Sequence, residues 1–444
     1  MSVVICVDFG STFTKASLVD LAEGRIAAAA EHRTTIGTDV LDGYDACVAA
    51  LVEQDVRAAD ARTLACSSAG GGLRIAVVGN EELVTAEAGR RVALSSGGKV
   101  VAVLAASRGD DPVTVVQSEP DVVLLTGGTD GGNRDAILTC ARALAEVWRG
   151  PVVVAGNVDA RADVAGILAH HPLVVAPNIV PRIGVLTPDG ARAAIRELFL
   201  SHVIGGKHLS SRADFPAMVR GPTPDLVLTG VELLAEVAGD VAVVDVGGAT
   251  TDVHSVVELD PEDSGLSREV VATTRVTRTV EGDLGMRWSA VTTAEAAGRD
   301  DLAEAAVRRR EDVGFVPESD AELDLDEQLA REAVGLALRR HAGRSRVVVS
   351  PEGRVIERSG KDLREVDLLV GSGGVLRHGR SGVAARVLAG STGEVEGGWQ
   401  LPRRAGVVVD EQYVLAAAGL LAAEHRDAAR RLVGQLASAI PSAI

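Results

Sequence analysis

Two short strings of the sequence combine an acid, glycines and hydroxyl residues directly after an apolar run. The first is Asp8-Phe9-Gly10-Ser11-Thr12-Phe13-Thr14-Lys15, and the second is Asp245-Val246-Gly247-Gly248-Ala249-Thr250-Thr251-Asp252. Glycines let backbone N–H groups approach phosphate oxygens closely, and Ser and Thr add hydroxyl donors. The leading acid suits Mg²⁺, which prefers oxygen ligands and keeps part of its water shell. Either string alone could be a plain hairpin, but the pair predicts a clamp for the phosphates of a nucleotide between two domains.

A third glycine-rich string and one lysine extend this prediction. The string is Asp367-Leu368-Leu369-Val370-Gly371-Ser372-Gly373-Gly374, and its bare backbone could accept an adenine and a ribose. Lysine occurs only at positions 15, 99, 207 and 361, although the chain has 45 basic residues. Because a compact ammonium makes a point-charge contact with phosphate, we predict that Lys15 contacts the β- or γ-phosphate. Lys361 is interpreted as an ordinary surface lysine.

Strands must position these strings. Apolar runs predict strands at 3–7 and 16–19 around the first string, at 241–244 before the second and at 367–370 within the third. From about 100 to 185, strand-like and helix-like stretches alternate, which is typical of a small parallel α/β unit, and we place an inserted subdomain near 105–185. The charge-rich stretch 293–342 predicts helix with an acidic turn near 318–327. The Ala-rich end predicts one helix over 411–432.

The composition excludes several classes of protein. The 444 residues carry 62 acidic and 45 basic side chains, a net charge of −17, so nucleic acid and anionic membranes are not expected partners. The start of the chain lacks the pattern of a signal peptide, and no apolar run approaches the roughly 20 residues that cross a bilayer. The four cysteines have no C-x-x-C spacing. We therefore expect a cytoplasmic protein whose thiols are buried and reduced.

The three strings, in this order, resemble the phosphate-one, phosphate-two and adenosine motifs of the acetate-kinase/sugar-kinase/heat-shock/actin superfamily. Four further strings narrow the resemblance to MutL-type accessory proteins of glutamate (methylaspartate) mutase, which are unrelated to mismatch repair. These strings are Thr126-Gly127-Gly128-Thr129-Asp130-Gly131-Gly132-Asn133, Ala155-Gly156-Asn157, Asp252-Val253-His254-Ser255 and Glu281-Gly282-Asp283-Leu284-Gly285-Met286-Arg287. The resemblance covers nearly the whole chain.

The resemblance implies an α/β fold of two ribonuclease-H-like domains with ATP and Mg²⁺ in an interdomain cleft. It implies an accessory or reactivating chaperone that uses ATP on an adenosylcobalamin-dependent mutase, whose subunits are the expected partners. The expected domains are 1–240 with the insertion, 241–404, and a C-terminal segment, 405–444, that returns to the first domain. A small-molecule kinase and a non-enzymatic actin-like filament protein stay open as alternatives.

Carried over position by position, the resemblance assigns roles to individual residues. Asp8 and Asp245 match the metal-associated acids, and Glu281 begins a later loop that approaches the nucleotide. The expected hydrolysis uses a water positioned by Asp8, Asp245 or Asp252, with Lys15 offsetting the phosphate charge. The remaining expected nucleotide contacts are Gly10, Ser11, Thr12, Gly247, Gly248, Thr250, Thr251, Gly371, Gly373 and Gly374.

Four weaker signals have a structural and a functional interpretation. The string 126–133 could be a second ligand loop or a plain turn, and the sequence alone does not decide between them. Asp252-Val253-His254 resembles the start of the lower cobalt-ligand string of mutases but lacks its glycine, so His254 is interpreted as a strand residue. His202 and His208 are interpreted as solvated helix residues. The chain has no G-x-x-x-x-G-K-[ST] string, which excludes the P-loop class.

Overall fold

The structure is a computed structural model that describes residues 2–259, 273–350, 353–393 and 397–438. Within these ranges the chain divides into two compact units. Unit 1 comprises residues 2–229 and 416–429. Unit 2 comprises residues from 230 to 415 and from 430 to 438.

Strands and helices alternate along most of the chain. The strands are β1 Val3–Phe9, β2 Phe13–Asp20, β3 Arg25–Arg33, β4 Arg62–Ser67, β5 Leu73–Gly79, β6 Gly98–Ala105, β7 Val122–Leu125, β8 Val152–Val154, β9 Leu173–Val175, β10 Val219–Pro222, β11 Val241–Val246, β12 Thr251–Val256, β13 Val276–Glu281, β14 Arg344–Ser350, β15 Gly353–Ser359, β16 Leu368–Ser372 and β17 Gly406–Val409. The helices are α1 Val40–Gln54, α2 Glu87–Ser95, α3 Val113–Gln117, α4 Asp135–Val147, α5 Arg161–Ile167, α6 Asp189–Leu198, α7 Ile204–Gly206, α8 Asp214–Met218, α9 Thr223–Ala238, α10 Ala290–Ala297, α11 Ala303–Glu311, α12 Asp320–His341, α13 Gly374–Arg377, α14 Val383–Leu388, α15 Val414–Leu421 and α16 Arg426–Ser438.

Each unit contains a five-stranded sheet of the same topology. In unit 1 the order is β10-β4-β1-β2-β3, and in unit 2 it is β13-β12-β11-β16-β17. In both sheets the first three strands in sequence form an antiparallel meander, and the other two extend the sheet in parallel from the first strand. This is the ribonuclease-H-like arrangement, so the predicted α/β fold with two such domains is confirmed.

A third sheet of five parallel strands lies within unit 1, in the order β6-β5-β7-β8-β9. Its strands come from residues 73 to 175, so the sheet starts before residue 105, where the sequence analysis placed the insertion. The chain leaves the first sheet at Gly70, Gly71 and Gly72, whose φ angles of +66°, +88° and +68° favour glycine. These glycines turn the chain away before β5, which therefore does not return beside β4.

Only 2% of the residues are aromatic, so the cores of both units are built mainly from aliphatic side chains. In unit 1, β1 is buried almost throughout and β4 from Leu64 to Ser67, and Phe9 packs edge-on against Phe215 with ring centroids 5.2 Å apart. In unit 2, α12 packs on β11 and β12. All four cysteines are buried and form no disulfide, which confirms the reading of buried free thiols.

Two helical predictions need correction. The acidic stretch 318–327 is the beginning of α12 and not a turn, because Ser319 caps the helix by accepting a hydrogen bond from Glu322 N and the acids then lie in its first turns. The predicted C-terminal helix is two helices, α15 and α16. No helix in the described part of the chain is long and apolar enough to cross a membrane.

Candidate functional site

The first glycine string forms the turn between β1 and β2. Gly10 N–H donates to Phe13 O across the turn at 3.1 Å. The turn is held through two carbonyls, because Thr34 Oγ1 donates to Gly10 O at 2.8 Å and Thr34 N–H donates to Thr12 O at 2.9 Å. Ser11 and Thr12 are exposed at the tip. We call residues 10–13 the first turn.

Asp8 lies at the end of β1, beside the ends of the two parallel strands β4 and β10. Thr223, which directly follows β10, donates its hydroxyl to Asp8 Oδ1 at 2.6 Å. The Cys66 thiol donates to the same oxygen at 3.7 Å. Burial raises the pKa of Cys66 well above its usual range, and the charge of Asp8 adds to this effect. Cys66 therefore stays a neutral thiol beside an acid held in a fixed orientation.

Lys15 lies on β2 directly opposite Asp8 on β1 and opposite Glu31 on β3. Cross-strand partners project from the same face of a sheet, with Cβ atoms about 4.5–5.5 Å apart. The lysine is half-buried and is flanked by two acids. The structure therefore places Lys15 and Asp8 side by side, close to the first turn.

The second glycine string repeats this hairpin in unit 2, between β11 and β12. Gly247 N–H donates to Thr250 O at 2.9 Å, as Gly10 does to Phe13 in unit 1. Asp245 and Asp252 face each other across the two strands, in the positions that Asp8 and Lys15 occupy in the first hairpin. We call residues 247–250 the second turn.

The second turn rests on the segment 281–289, which we call the strap. Three successive carbonyls of the turn accept hydrogen bonds from the strap. The bonds are Met286 N to Gly247 O at 3.0 Å, Arg287 N to Gly248 O at 2.8 Å and Ser289 Oγ to Ala249 O at 2.6 Å.

These bonds fix the direction of the turn's amides. In a trans peptide, the carbonyl oxygen and the following N–H point in opposite directions. Because the three carbonyls face the strap, the N–H groups of Gly248, Ala249 and Thr250 face away from it. Gly248 and Ala249 are exposed. Successive amides that point to one side can bind an anion, and the predicted phosphate contact requires such amides.

The strap approaches the turn so closely that its glycine has no room for a side chain. A Cβ on Gly285 would lie 2.8 Å from Gly248 O. Thr251 is fully buried, and its hydroxyl donates to Leu284 O at 3.1 Å. In this structure Thr251 holds the strap against β12, whereas Gly248 is exposed.

Asp252 is engaged by a buried arginine. Arg278 donates to Asp252 Oδ1 from Nε at 3.0 Å and from a terminal nitrogen at 2.5 Å, and only 5% of Arg278 is exposed. Thr250 Oγ1 donates to the other oxygen of Asp252 at 3.3 Å. The acid is therefore tied to β13 and to the second turn.

The third glycine string ends β16 next to β11. Gly373 has φ +108°, and a Cβ there would lie 2.3 Å from Val246 O, so only glycine allows this approach. A Cβ on Gly374 would meet nothing within 4 Å. Gly371 accepts a hydrogen bond from the N–H of Asp410 at the end of β17. The structure thus brings the second and third strings to one edge of the unit 2 sheet.

An aromatic–guanidinium pair lies beside the third string. The guanidinium carbon of Arg377 on α13 is 4.4 Å from the ring centroid of Tyr413. Tyr413 has φ +55°, and the buried Asp410 holds the loop by accepting from the N–H groups of Val414 and Leu415 at 2.8 and 3.1 Å. A flat polar platform therefore adjoins the predicted adenosine loop.

The weaker signals have definite places in the structure. The string 126–133 follows β7 and is bound by the segment after β9, where Asn178 donates to Gly128 O at 3.0 Å and to Asp130 at 2.8 Å. His254 lies in β12 and is 2% exposed, which places it in a strand as predicted. His202 and His208 are exposed, and His208 lies in a turn after α7.

Each turn, taken by itself, has groups of the kind that contact phosphate oxygens, with an acid nearby. In the described ranges no three His, Cys, Asp or Glu side chains cluster around a common point. Asp8 and Asp245 are half-buried, and each is the second-to-last residue of a buried strand. An ion that is bound mainly by phosphate oxygens and water needs few carboxylates, which suits Mg²⁺.

Sequence reasoning missed residues that hold the turns. Thr34 comes directly after β3, and Thr223 directly after β10, more than 200 residues from Asp8. No local pattern links either residue to a glycine string. Ser289 lies just beyond the string that ends at Arg287, and a search for hydroxyl residues next to that string could have found it.

Two ribonuclease-H-like sheets, each opened by an acid-and-glycine hairpin, define the class of two-domain α/β proteins with this fold. Within that class, the chain belongs to the MutL protein family, whose sequence model matches residues 4–436. It is 36% identical over 457 residues to Protein MutL of Clostridium tetanomorphum, and the match covers 98% of each chain. The resemblance to MutL-type accessory proteins is therefore confirmed.

Solved structures give more distant matches. A nucleotide-free structure of acetone carboxylase is 16% identical, with a TM-score of 0.41, and the match covers 95% of this chain and 70% of that one. The activator of 2-hydroxyisocaproyl-CoA dehydratase from Clostridium difficile with bound ADPNP is 11% identical, with a TM-score of 0.31, and the match covers 96% and 95%.

Proposed function

We propose that this chain is an ATP-binding accessory ATPase that reactivates an adenosylcobalamin-dependent mutase, such as glutamate mutase. The observation that carries the nucleotide part is the second turn, whose three amides face away from the strap into open space. Membership of the MutL protein family supports the part that concerns the mutase. The net charge of −17 favours a protein partner over nucleic acid or an anionic membrane.

The two turns would each contact phosphate oxygens. The second turn offers its backbone amides, and the first offers the exposed Ser11 and Thr12 with Lys15 beside them. Asp8 and Asp245 would hold the hydrated magnesium ion. The third string would accept the adenosine at Gly373 and Gly374, where the backbone is bare.

Hydrolysis would proceed by attack of water on the γ-phosphorus. The new bond forms to the water oxygen, the bond to the bridging oxygen of ADP breaks, and an acid of the site accepts the water proton. Lys15 would offset the negative charge of the γ-phosphate. Magnesium, when bound, would supply further charge neutralisation on the phosphate oxygens.

Calorimetric titration with ATP tests the site. We expect tighter binding with Mg²⁺ than with EDTA, and Asp245→Asn should lose most of this difference. Asp312→Asn is the matched control, because Asp312 is exposed in the same unit and accepts only a local bond from Gly314 N. Equal ATP affinity with and without Mg²⁺ in the wild type would exclude the two-acid metal site.

The alternatives are separated by three measurements on the purified protein. Phosphate release without any metabolite, stimulated by a cobalamin-inactivated mutase, supports the proposal. Phosphate transfer that requires a small-molecule acceptor would indicate a kinase. An ATP-dependent rise in light scattering would indicate a filament protein.

A further inference from the structure

We infer that Arg287 is a positioning residue that fixes the second turn to helix α12. The inference rests on the proposed function, because it assigns a support for the phosphate site proposed there. Arg287 uses its backbone for the turn, since its N–H donates to Gly248 O at 2.8 Å. Its side-chain stem also lies under the turn, with Cβ and Cγ 3.6 and 3.7 Å from where a Cβ on Gly248 would be.

The guanidinium of Arg287 is anchored on the far side of the strap. It donates to Asp326 Oδ2 of α12 at 3.0 Å, to Phe315 O at 3.1 Å and to Met286 O at 2.7 Å. Only 17% of the Arg287 side chain and 5% of the Asp326 side chain are exposed. A charged pair with so little water around it has a well-defined geometry, because its hydrogen bonds cannot be exchanged for solvent.

A second arginine fixes Asp326 in turn. Arg309 of α11 is fully buried and donates from Nε to Asp326 Oδ1, so each oxygen of the acid serves one arginine. Arg309 also donates to Glu322 Oε2 at 2.8 Å. Helices α11 and α12 thus share one buried ion network, and Arg287 connects it to the second turn.

The other end of the strap is fixed to the same helix. Arg340 of α12 binds Glu281 at 2.8 Å and Asp283 at 2.7 and 2.9 Å. Arg340 and Asp326 are about four helical turns apart, so the strap runs along α12 and is attached at both ends. The position of the turn's amides therefore depends on α12, and a shift of this helix would move the second turn.

Arg287→Met tests this role, because methionine keeps an apolar stem of similar reach and removes the guanidinium. Arg299→Met is the matched control. Arg299 also pairs with α12, donating to Glu332 at 2.7 Å, but makes no bond to the turn or the strap. For each variant we would measure the melting temperature, the affinity for ATP with Mg²⁺ and the affinity for adenosine.

We expect Arg287→Met to weaken ATP binding by about 3- to 10-fold, the range of one ordinary hydrogen bond, with adenosine affinity unchanged. Arg299→Met should leave both affinities unchanged, and Arg287→Lys, which keeps a charge for Asp326, should restore part of the ATP affinity. If Arg287→Met does not fold, the affinities for ATP and adenosine are measured on Arg287→Lys instead. Unchanged ATP affinity, or an equal loss for ATP and adenosine, would overturn the inference alone. A wild type that binds no ATP would overturn the proposed nucleotide site and the inference with it.

Discussion

Replacing Lys15 by alanine should weaken ATP binding strongly while leaving unit 1 folded. Lys15 sits beside the first turn on β2, across from Asp8. If its ammonium contacts the β- or γ-phosphate, the variant loses a charge-assisted hydrogen bond of about 1.5–3 kcal/mol. At about 1.4 kcal/mol per factor of ten, ATP affinity should fall by about 10- to 150-fold. Adenosine affinity should not change, because adenosine carries no phosphate.

The cost to folding should be smaller. Lys15 has an acid opposite it on each neighbouring strand, Asp8 and Glu31. Opposite-charge cross-strand pairs contribute roughly 0.2–1 kcal/mol each, so the loss of these two pairs should cost up to about 2 kcal/mol. At roughly 2–4 °C per kcal/mol for a unit of this size, the melting temperature should fall by less than about 10 °C.

The assay is calorimetric titration with ATP and with adenosine, beside a thermal melt. Lys99→Ala is the control, because Lys99 is exposed. Lys361 cannot serve, since the prediction of a surface lysine was wrong. Only 4% of Lys361 is exposed, its ammonium donates to Arg275 O at 2.9 Å, and burial lowers its pKa to about 7. Wild-type ATP affinity in folded Lys15→Ala would refute the reasoning.

Three further outcomes are expected. Gly373→Ala should lower the stability of unit 2 by about 1–3 kcal/mol or more in denaturant titration, because its Cβ would meet Val246 O, whereas Gly374→Ala should not. Burial lowers the pKa of His341 from 6.5 to about 3, so the free energy of unfolding should fall by ~1.4 kcal/mol per pH unit below pH 6.5 for this group. Denaturant titrations between pH 7 and 5 measure that slope, which should be shallower in His341→Gln. The pure protein should bind no cobalamin tightly, because its lower-ligand string is incomplete and His254 is buried; a corrin absorption band that co-elutes with it would contradict this.

The strands that carry the glycine strings could be predicted because buried strands have continuous apolar sequences. β1, β11 and β16 are flanked by strands on both sides and read as continuous apolar runs. β3 was missed for the opposite reason. Its sequence, Arg-Ile-Ala-Ala-Ala-Ala-Glu-His-Arg, is rich in alanine, which strands disfavour, and only pairing with β2 makes it a strand.

The limits of the insertion could not be predicted from pattern alone. β4 and β5 are two apolar runs separated by a short glycine-rich loop, which is also the pattern of a hairpin. In the structure β4 pairs with β1 and β10, whereas β5 pairs with β6 and β7. The sheet that a strand joins is decided by contacts with residues distant in sequence. The loop between β4 and β5 therefore does not indicate that the two strands belong to different sheets.

The turns were predictable and their supports were not. An acid, glycines and hydroxyls after a strand define each turn within eight residues. Thr223 reaches Asp8, and Arg287 reaches Asp326, only after the sheets and helices have packed. The sequence marks the strap only by its resemblance to a family string, and the structure shows its hydrogen bonds to three successive carbonyls of the second turn.

The two hairpins carry opposite charges at one structural position, and this difference separates the three candidate acids. Lys15 faces Asp8 in the first hairpin, whereas Asp252 faces Asp245 in the second. Two acids in directly opposed positions repel, and the buried Arg278 offsets this by donating twice to Asp252 Oδ1. Asp252 is therefore committed to an ion pair, and taking up a proton would leave that arginine without its counter-charge. We therefore do not expect Asp252 to be the acid that accepts the proton of the attacking water.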